Sequence, residues 1–220
     1  MRFFEFIFLS RKWASDRSRI VSMLERAKAD CNPMWLLVFP EGTVITENTK
    51  SIANSFAKKK DIEFTAQHVI LPRSTGLFHI LRCLDEAEYL YDFTIAYSGI
   101  SKTAIPYDEY PIGKIFFEGN GPEAIHIHVD RFKIAHIPGV SREKYNPTEE
   151  TNPLFEEWLR KRFLEKDQLM SRFYDNGCCF PDAESDSLKQ TLEINRHSMD
   201  WISISAIIVS SMTSWSWLFL

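Results

Sequence analysis

The sequence predicts an α/β fold in which helices flank a mixed, largely parallel sheet and a hydrophobic helix ends the chain. Apolar runs bounded by turn residues alternate with segments whose apolar residues repeat at helical spacing, which is typical of α/β domains. The clearest run, 34–39, is uninterrupted and therefore predicts a strand buried on both faces of a parallel sheet. The last twenty residues, 201–220, carry no charge.

The helices are predicted from apolar spacing and from capping residues. The first begins at Ser15 or Asp16, Thr46 caps the second, and Ser74 or Thr75 opens the third. A long charged helix runs from Pro153 to about residue 174. The predicted buried faces of the first three helices are Ile20, Val21, Leu24 and Ala27; Ile52 and Phe56; and Leu77, Phe78, Leu81 and Leu84.

Three further strands are predicted at 68–71, 91–97 and 125–130, with a turn-rich stretch at 108–121. In 125–130 apolar and polar residues alternate, so His126, His128 and Asp130 share one face. Two histidines and an aspartate could bind a metal. The interpretation we favour is a solvated face opposite buried Ile125, Ile127 and Val129, because no third strong ligand lies nearby in sequence.

Composition limits the class of protein. A chain of 220 residues fits one domain and a tail, and an apolar share of 45% suffices for a core. The net charge of -4 argues against a nucleic-acid partner. The four cysteines form no Cys-x-x-Cys pair, which argues against a zinc ribbon or a disulfide scaffold and fits a reducing compartment.

The segment 39–43, with the sequence Phe-Pro-Glu-Gly-Thr, is the most informative motif. Pro40 ends the preceding strand because it has no N–H for a ladder, and Gly42 allows a close approach of backbone or ligand. Glu41 and Thr43 then follow the carboxyl end of a strand, where α/β sheets place their ligands.

Three segments together resemble the sequence blocks of the glycerophospholipid acyltransferases, which include the lysophosphatidic acid acyltransferases. Residues 39–43 resemble the third block, residues 6–13 with Arg11 resemble the second, and residues 69–76 around Pro72 resemble the fourth. The resemblance covers residues 3–175 and is strongest to the lysocardiolipin and lysophosphatidylinositol acyltransferase branch.

The resemblance implies transfer of a fatty acyl group from acyl-CoA, a cosubstrate, to a lysophospholipid hydroxyl, with no metal and no other cofactor. Arg11 would hold the substrate phosphate, and Glu41, Gly42 and Thr43 would shape the glycerophosphate site. Pro72 and Arg73 would line the loop beside the acyl channel. The headgroup could be that of lysophosphatidate, lysocardiolipin or lysophosphatidylinositol.

The family's first block, a histidine, four residues and an aspartate, does not occur in this sequence. His79 precedes Asp85 with one residue too many. Val44 also stands where many members have an arginine. The sequence is therefore expected to be the later part of an acyltransferase, from a truncated gene model, a splice form or a degenerate copy. An inactive lipid-binding or partner-binding remnant is the alternative function.

The predicted domains are an acyltransferase domain at 1–175, a polar linker at 176–200 and a membrane-anchoring helix at 201–220. Twenty helical residues span about 30 Å, which matches a bilayer core. Basic residues precede the segment and none follows it, so the positive-inside rule places the domain on the cytosolic side. The endoplasmic reticulum or a mitochondria-associated membrane is the expected location.

Overall fold

The computed structural model describes residues 13–29, 35–84, 87–140, 151–181 and 191. Contacts divide the chain into two units, 1–181 and 182–220, and every described helix and strand belongs to the first. In chain order the elements are α1 (Trp13–Ala29), α2 (Glu47–Lys59), α3 (Ser74–Cys83), β1 (Tyr89–Tyr97), α4 (Pro106–Glu109), α5 (Ile112–Phe117), β2 (Ile125–Lys133), a 3₁₀ turn (Ile134–His136) and α6 (Pro153–Asp175). A mixed α/β fold is confirmed.

Local sequence signals set the starts of two helices as predicted. At α2, Thr46 Oγ1 accepts from the N–H of Thr49 at 3.2 Å, and Thr49 Oγ1 accepts from the N–H of Thr46 at 2.8 Å. This reciprocal pair is a capping box. At α6, Asn152 Oδ1 accepts from the N–H of Leu154 at 3.0 Å, and Pro153 occupies the first turn, where its missing N–H costs nothing.

The main core lies between α3 and α6. Phe78 and Phe155 are fully buried, with ring centroids 5.4 Å apart. Other buried members of this cluster are Phe64, Val69, Leu77, Leu81, Ile134, Ile137, Val140, Leu159 and Phe163. Each large apolar side chain buried in this way contributes about 1.5–3 kcal/mol. The helix pair therefore stabilises the domain more than two strands can, since a two-stranded sheet alone is marginal.

β1 and β2 form an antiparallel pair in which Tyr89 lies opposite Lys133 and Tyr97 lies opposite Ile125. α6 covers one face of this pair: Ala96 of β1 is buried together with Met170 and Phe173. On the same side, the rings of His126 and Phe173 meet at 5.0 Å. The sheet is thus attached to the core through the second half of α6.

The prediction of a largely parallel sheet is not supported, because the single sheet of the described residues is antiparallel. Residues 35–39 belong to no ladder, and 68–71 form no strand either. Leu36 and Val38 pack inward, whereas Trp35, Leu37 and Phe39 are 87%, 73% and 68% exposed. An uninterrupted apolar run predicts burial on both faces. In this segment, however, only the face of Leu36 and Val38 packs against the core.

The orientation of β2 is the opposite of the prediction. Ile125, Ile127 and Val129 are 57%, 54% and 46% exposed, because α6 lies on the histidine face. Together with Tyr91, Phe93 and Ile95 of β1 they form one apolar surface, and Trp35 extends it by stacking on Tyr91 at 6.4 Å. We call this surface the open face; its members are Trp35, Tyr91, Phe93, Ile95, Ile125, Ile127 and Val129.

The predicted buried faces of the helices are confirmed in α1 and α3 and wrong in α2. Ile20 and Leu24 are buried against Ile80 of α3. In α2, however, Ile52 and Phe56 are more than half exposed, and Ala57 is the buried residue. The spacing identified an apolar stripe, but the buried residue of α2, Ala57, lies off that stripe in the last turn of the helix.

Among the described helices, none is both long enough and apolar enough to cross a membrane. The hydrophobic helix predicted at 201–220 lies outside the described residues, and so does most of the predicted linker.

Candidate active site

The motif 39–43 forms a tight turn. The N–H of Gly42 donates to Phe39 O at 3.1 Å, and Gly42 has a φ of +64°. This left-handed conformation is costly for any residue with a Cβ, which explains the glycine. The turn leaves Gly42 and Thr43 exposed and Glu41 half-buried.

The turn is joined to the start of α3. The N–H of Arg73 donates to Pro40 O at 2.8 Å. A Cβ on Gly42 would lie 3.5 Å from Arg73 Cδ, so the arginine side chain passes directly beside the glycine. The structure therefore brings the predicted residues Glu41, Gly42 and Thr43 together with Pro72 and Arg73, across thirty residues of sequence. Arg11 lies outside the described residues.

The carboxyl group of Glu41 lies in an unusual electrostatic setting. Burial raises its pKa above the ordinary value of 4.5, and the nearby charge of Asp92 raises it further. Its own backbone N–H and the ammonium of Lys166 act in the opposite direction. Burial is the largest of these effects, so the site favours the protonated carboxyl more than water does. A half-buried carboxyl whose pKa is perturbed by burial and by specific charged neighbours makes Glu41 a candidate functional group.

Lys166 of α6 supports this region, a role that was not predicted from the sequence. Its Nζ lies 2.5 Å from Asp92 Oδ1 and 2.8 Å from Phe93 O, with only 14% of the side chain exposed. The signal was present in the sequence. The apolar stripe of α6 reads Phe155, Leu159, Phe163, Met170 and Phe173, and residue 166 falls on that stripe. A lysine on a core-facing stripe needs a buried partner, and Asp92 supplies it.

α6 also holds the chain segment 67–74 at both ends. Asp167 Oδ1 accepts from the N–H groups of Gln67 and His68 at 2.8 and 2.6 Å. Eleven residues earlier in the helix, Glu156 Oε1 accepts from Ser74 Oγ at 3.3 Å. The position of Arg73 beside the 39–42 turn therefore depends on α6, far along the chain.

His68 is the histidine nearest in sequence to the 72–73 loop. Burial lowers its pKa, so the neutral ring is favoured at pH 7, although the charge of Asp167 acts against this. The ring stacks on Tyr174 at 5.6 Å, and its buried Nε2 has no hydrogen-bond partner in the described part of the chain. His79, by contrast, is enclosed in α3 and 1% exposed.

The rival constellation on β2 contains one polar contact, between His128 Nε2 and Asp130 Oδ1 at 3.2 Å. His126 contacts Phe173, and His128 contacts the ring of Phe180 at 5.6 Å. Within the described ranges, no three histidine, cysteine or acidic side chains are grouped as metal ligands. Both histidines pack against aromatic rings.

Comparison with known proteins shows that the chain is similar to acyltransferases. The family described as Acyltransferase C-terminus matches residues 116–202. Lysocardiolipin acyltransferase 1 of Gallus gallus is 37% identical over 180 residues, 80% of this chain and 42% of that protein. The 2-acyl-1-lysophosphatidylinositol acyltransferase of Saccharomyces cerevisiae is 30% identical over 253 positions, 99% of this chain and 60% of that protein.

A plant relative is also named as an acyltransferase. The probable 1-acyl-sn-glycerol-3-phosphate acyltransferase 5 of Arabidopsis thaliana is 30% identical over 175 residues, 79% of this chain and 41% of that protein. The chain belongs to the glycerophospholipid acyltransferase family. It spans between 41% and 60% of the length of these three relatives. No solved structure matches it.

Proposed function

We propose that this chain supplies the lysophospholipid-binding part of an acyltransferase that moves a fatty acyl group from acyl-CoA to a lysophospholipid hydroxyl. The observation that carries the proposal is the bond from the Arg73 N–H to Pro40 O, which joins the two family-like segments into one site. The relatives' names, which specify lysocardiolipin, lysophosphatidylinositol and acylglycerol phosphate, support a lysophospholipid as the acceptor.

Two guanidinium groups are proposed for the substrate phosphate. Arg11 is the phosphate ligand that the resemblance implies. Arg73 is exposed beside Gly42, where a phosphate can approach the backbone without meeting a Cβ. Guanidinium groups bind phosphate through two parallel charge-assisted bonds. Glu41 cannot attract a phosphate, so we assign it to a substrate hydroxyl or to the orientation of an arginine. Pro72 fixes the loop next to Arg73.

The test of the phosphate site is lysophospholipid binding. Arg73→Ala should weaken binding by about 1.5–3 kcal/mol, the value of a hydrogen bond to a charged group. Arg11→Ala should weaken it more. Arg172→Ala is the matched control: this exposed arginine lies sixteen residues beyond Glu156 in α6, about 24 Å along the helix. Equal affinities for Arg73→Ala and Arg172→Ala would overturn the assignment.

Acyl transfer in the complete family uses the histidine of a His-x4-Asp pattern as the general base. This pattern does not occur in the present sequence. General-base help is worth about two to four orders of magnitude in rate. With labelled acyl-CoA and a panel of lysophosphatidate, lysocardiolipin and lysophosphatidylinositol, we expect the 220-residue chain to turn over far more slowly than a complete relative. Turnover close to that of the relative would contradict this expectation, and loss of that turnover in His68→Gln would identify the substitute base.

The second candidate function is an inactive lipid-binding or partner-binding module of the same fold. It is favoured by the lack of a His-x4-Asp pattern in the sequence. Lysophospholipid binding that is sensitive to Arg73→Ala, without turnover when the first block is supplied, would favour this module over the enzyme.

For either function we propose a membrane location with the 201–220 segment as anchor and the domain in the cytosol, on the endoplasmic reticulum or a mitochondria-associated membrane.

A further inference from the structure

Two adjacent residues of α6 lie beside the two chain segments that form the candidate active site. Lys166 Nζ lies 2.5 Å from Asp92 Oδ1 and donates to a backbone carbonyl of β1 at 2.8 Å. Its positive charge also acts on the carboxyl of Glu41 in the 39–42 turn. The next residue, Asp167, accepts two N–H groups of the 67–74 segment through Oδ1. One turn of α6 is therefore close to both halves of the site.

We propose that Lys166 is a positioning residue of this site: together with Asp92, it keeps the side chain of Glu41 as a carboxylate that accepts a hydrogen bond from a hydroxyl of the lysophospholipid. An ionised carboxyl is an acceptor only, whereas a protonated one also donates, so the charge of Glu41 decides which substrate groups it can bind. The proposal rests on the proposed function, because the hydroxyl belongs to the acceptor lipid.

The charged groups around Glu41 come from three elements: Lys166 of α6, Asp92 of β1 and Arg73 before α3. Arg73 passes beside Gly42, the residue that follows Glu41. Burial has the largest influence on the pKa of Glu41 and raises it, and the charge of Asp92 raises it further. The backbone N–H of Glu41 and the ammonium of Lys166 lower this pKa. Lys166 is thus a cation that favours the carboxylate in a site where burial favours the neutral acid.

The contacts of Lys166 fix the place from which its charge acts. The ammonium is held by Asp92 and by Phe93 O, and it lies 5.5 Å from the ring centroid of Phe163. Only 14% of the lysine side chain and 24% of that of Asp92 are exposed. A buried ion pair adds little net stability, because desolvation offsets the attraction, and an apolar residue could pack on the same stripe. The position of the pair beside Glu41 therefore favours a role in the site over a purely structural one.

The test is the pH dependence of binding, measured between pH 4 and 8 with labelled lysophosphatidylinositol and the full 220-residue chain in mild detergent. The phosphodiester of this lipid does not titrate in that range, so changes in affinity report on the protein. Affinity should fall as Glu41 becomes protonated, and Glu41→Gln should abolish this fall. The midpoint should move up by about 1 pH unit in Lys166→Met and down by about 1 unit in Asp92→Asn, because the two charges act on Glu41 in opposite directions.

Two control variants accompany these measurements. Lys166→Arg keeps the cation and should keep the wild-type midpoint. Lys133→Met should also leave the midpoint unchanged, since Lys133 is an exposed residue of β2 that pairs with Glu88 at 3.6 Å.

A purely structural role of the pair predicts that Lys166→Met and Asp92→Asn both weaken binding at every pH and leave the midpoint where it is. That result would overturn the proposal, and so would a fall in affinity that persists in Glu41→Gln. If Lys166→Met does not fold, Asp92→Asn decides alone, and an unmoved or raised midpoint overturns the proposal. Absence of binding by the wild-type chain would overturn the proposed function as well. Binding that is weakened by Arg73→Ala but has unmoved midpoints would overturn this inference alone.

Discussion

Replacing Lys166 by methionine should destabilise the domain by about 3 kcal/mol. The ammonium donates to Asp92 Oδ1 at 2.5 Å and to Phe93 O at 2.8 Å, and it lies 5.5 Å from the ring centroid of Phe163. Methionine fills a similar volume but removes both charge-assisted bonds. It also leaves the carboxylate of Asp92 unpaired and close to Glu41.

The magnitude follows from burial. The side chains of Lys166 and Asp92 are 14% and 24% exposed, so the pair is mostly removed from water. Breaking a fully buried pair costs about 3–5 kcal/mol, and a hydrogen bond to a charged group contributes about 1.5–3 kcal/mol. The remaining exposure of Asp92 places the expected loss at the lower end, about 3 kcal/mol.

The assay is urea unfolding at pH 7, with the free energy of unfolding obtained from the midpoint and the slope. Lys133→Met is the control, because the Lys133–Glu88 pair is 47% and 59% exposed and should contribute about 0–1 kcal/mol. A double-mutant cycle with Asp92→Asn measures the coupling energy. A loss below about 1 kcal/mol for Lys166→Met, or no coupling to Asp92, would refute the reasoning.

Three further outcomes are expected. Gly139→Ala should cost about 2–4 kcal/mol in urea unfolding, because Gly139 has a φ of +76° and its Cβ would lie 2.5 Å from Asn152 Oδ1, the cap of α6; a loss below 1 kcal/mol would contradict the strain. Because burial raises the pKa of Glu41, its ionisation opposes folding, so Glu41→Gln should raise the thermal midpoint at pH 8 and give no gain below pH 4.5, with Glu47→Gln as the exposed control. An equal gain at both pH values would exclude this titration as the cause. Val209→Arg should move the protein from the carbonate-resistant membrane fraction to the soluble one, at a cost of about 2.5–3.5 kcal/mol; a protein that stays in the membrane after deletion of 201–220 would show that another segment is the anchor.

Local signals predicted the elements well. The Thr46 cap, the start of α6 at Pro153 and the strand that became β1 each depend on residues close in sequence, and each is confirmed. Capping and turn residues act through the backbone next to them, so a sequence read in short windows contains the information.

The arrangement of the elements was harder to predict. The sequence showed that one face of β2 is apolar, but α6 covers the other face, because Phe173 of that helix lies against His126. Likewise, Ile52 and Phe56 form an apolar stripe on α2, and both residues are more than half exposed. Periodicity identifies a stripe and cannot identify its partner, since the partner comes from a distant part of the chain.

Some residues of the candidate site could be recognised in the sequence, and others could not. Glu41, Gly42 and Arg73 were recognised from motifs that resemble a family, and the structure brings them together. Lys166 and Asp92 were not recognised, because neither belongs to a motif. Their importance comes from a contact between α6 and β1 that only the folded chain makes.

The contacts of α6 with the segment 67–74 also set the order in which the site can form during synthesis. Asp167 follows His68 by 99 residues, and Glu156 follows Ser74 by 82. At roughly 5–20 residues per second, the ribosome needs on the order of 5–20 s to make the intervening chain. Throughout that interval the 67–74 segment has emerged without the side chains that hold it. The candidate site is therefore completed late in translation, and a nascent chain that stalls before α6 presents the 39–42 turn and the 67–74 segment unsupported to chaperones and proteases.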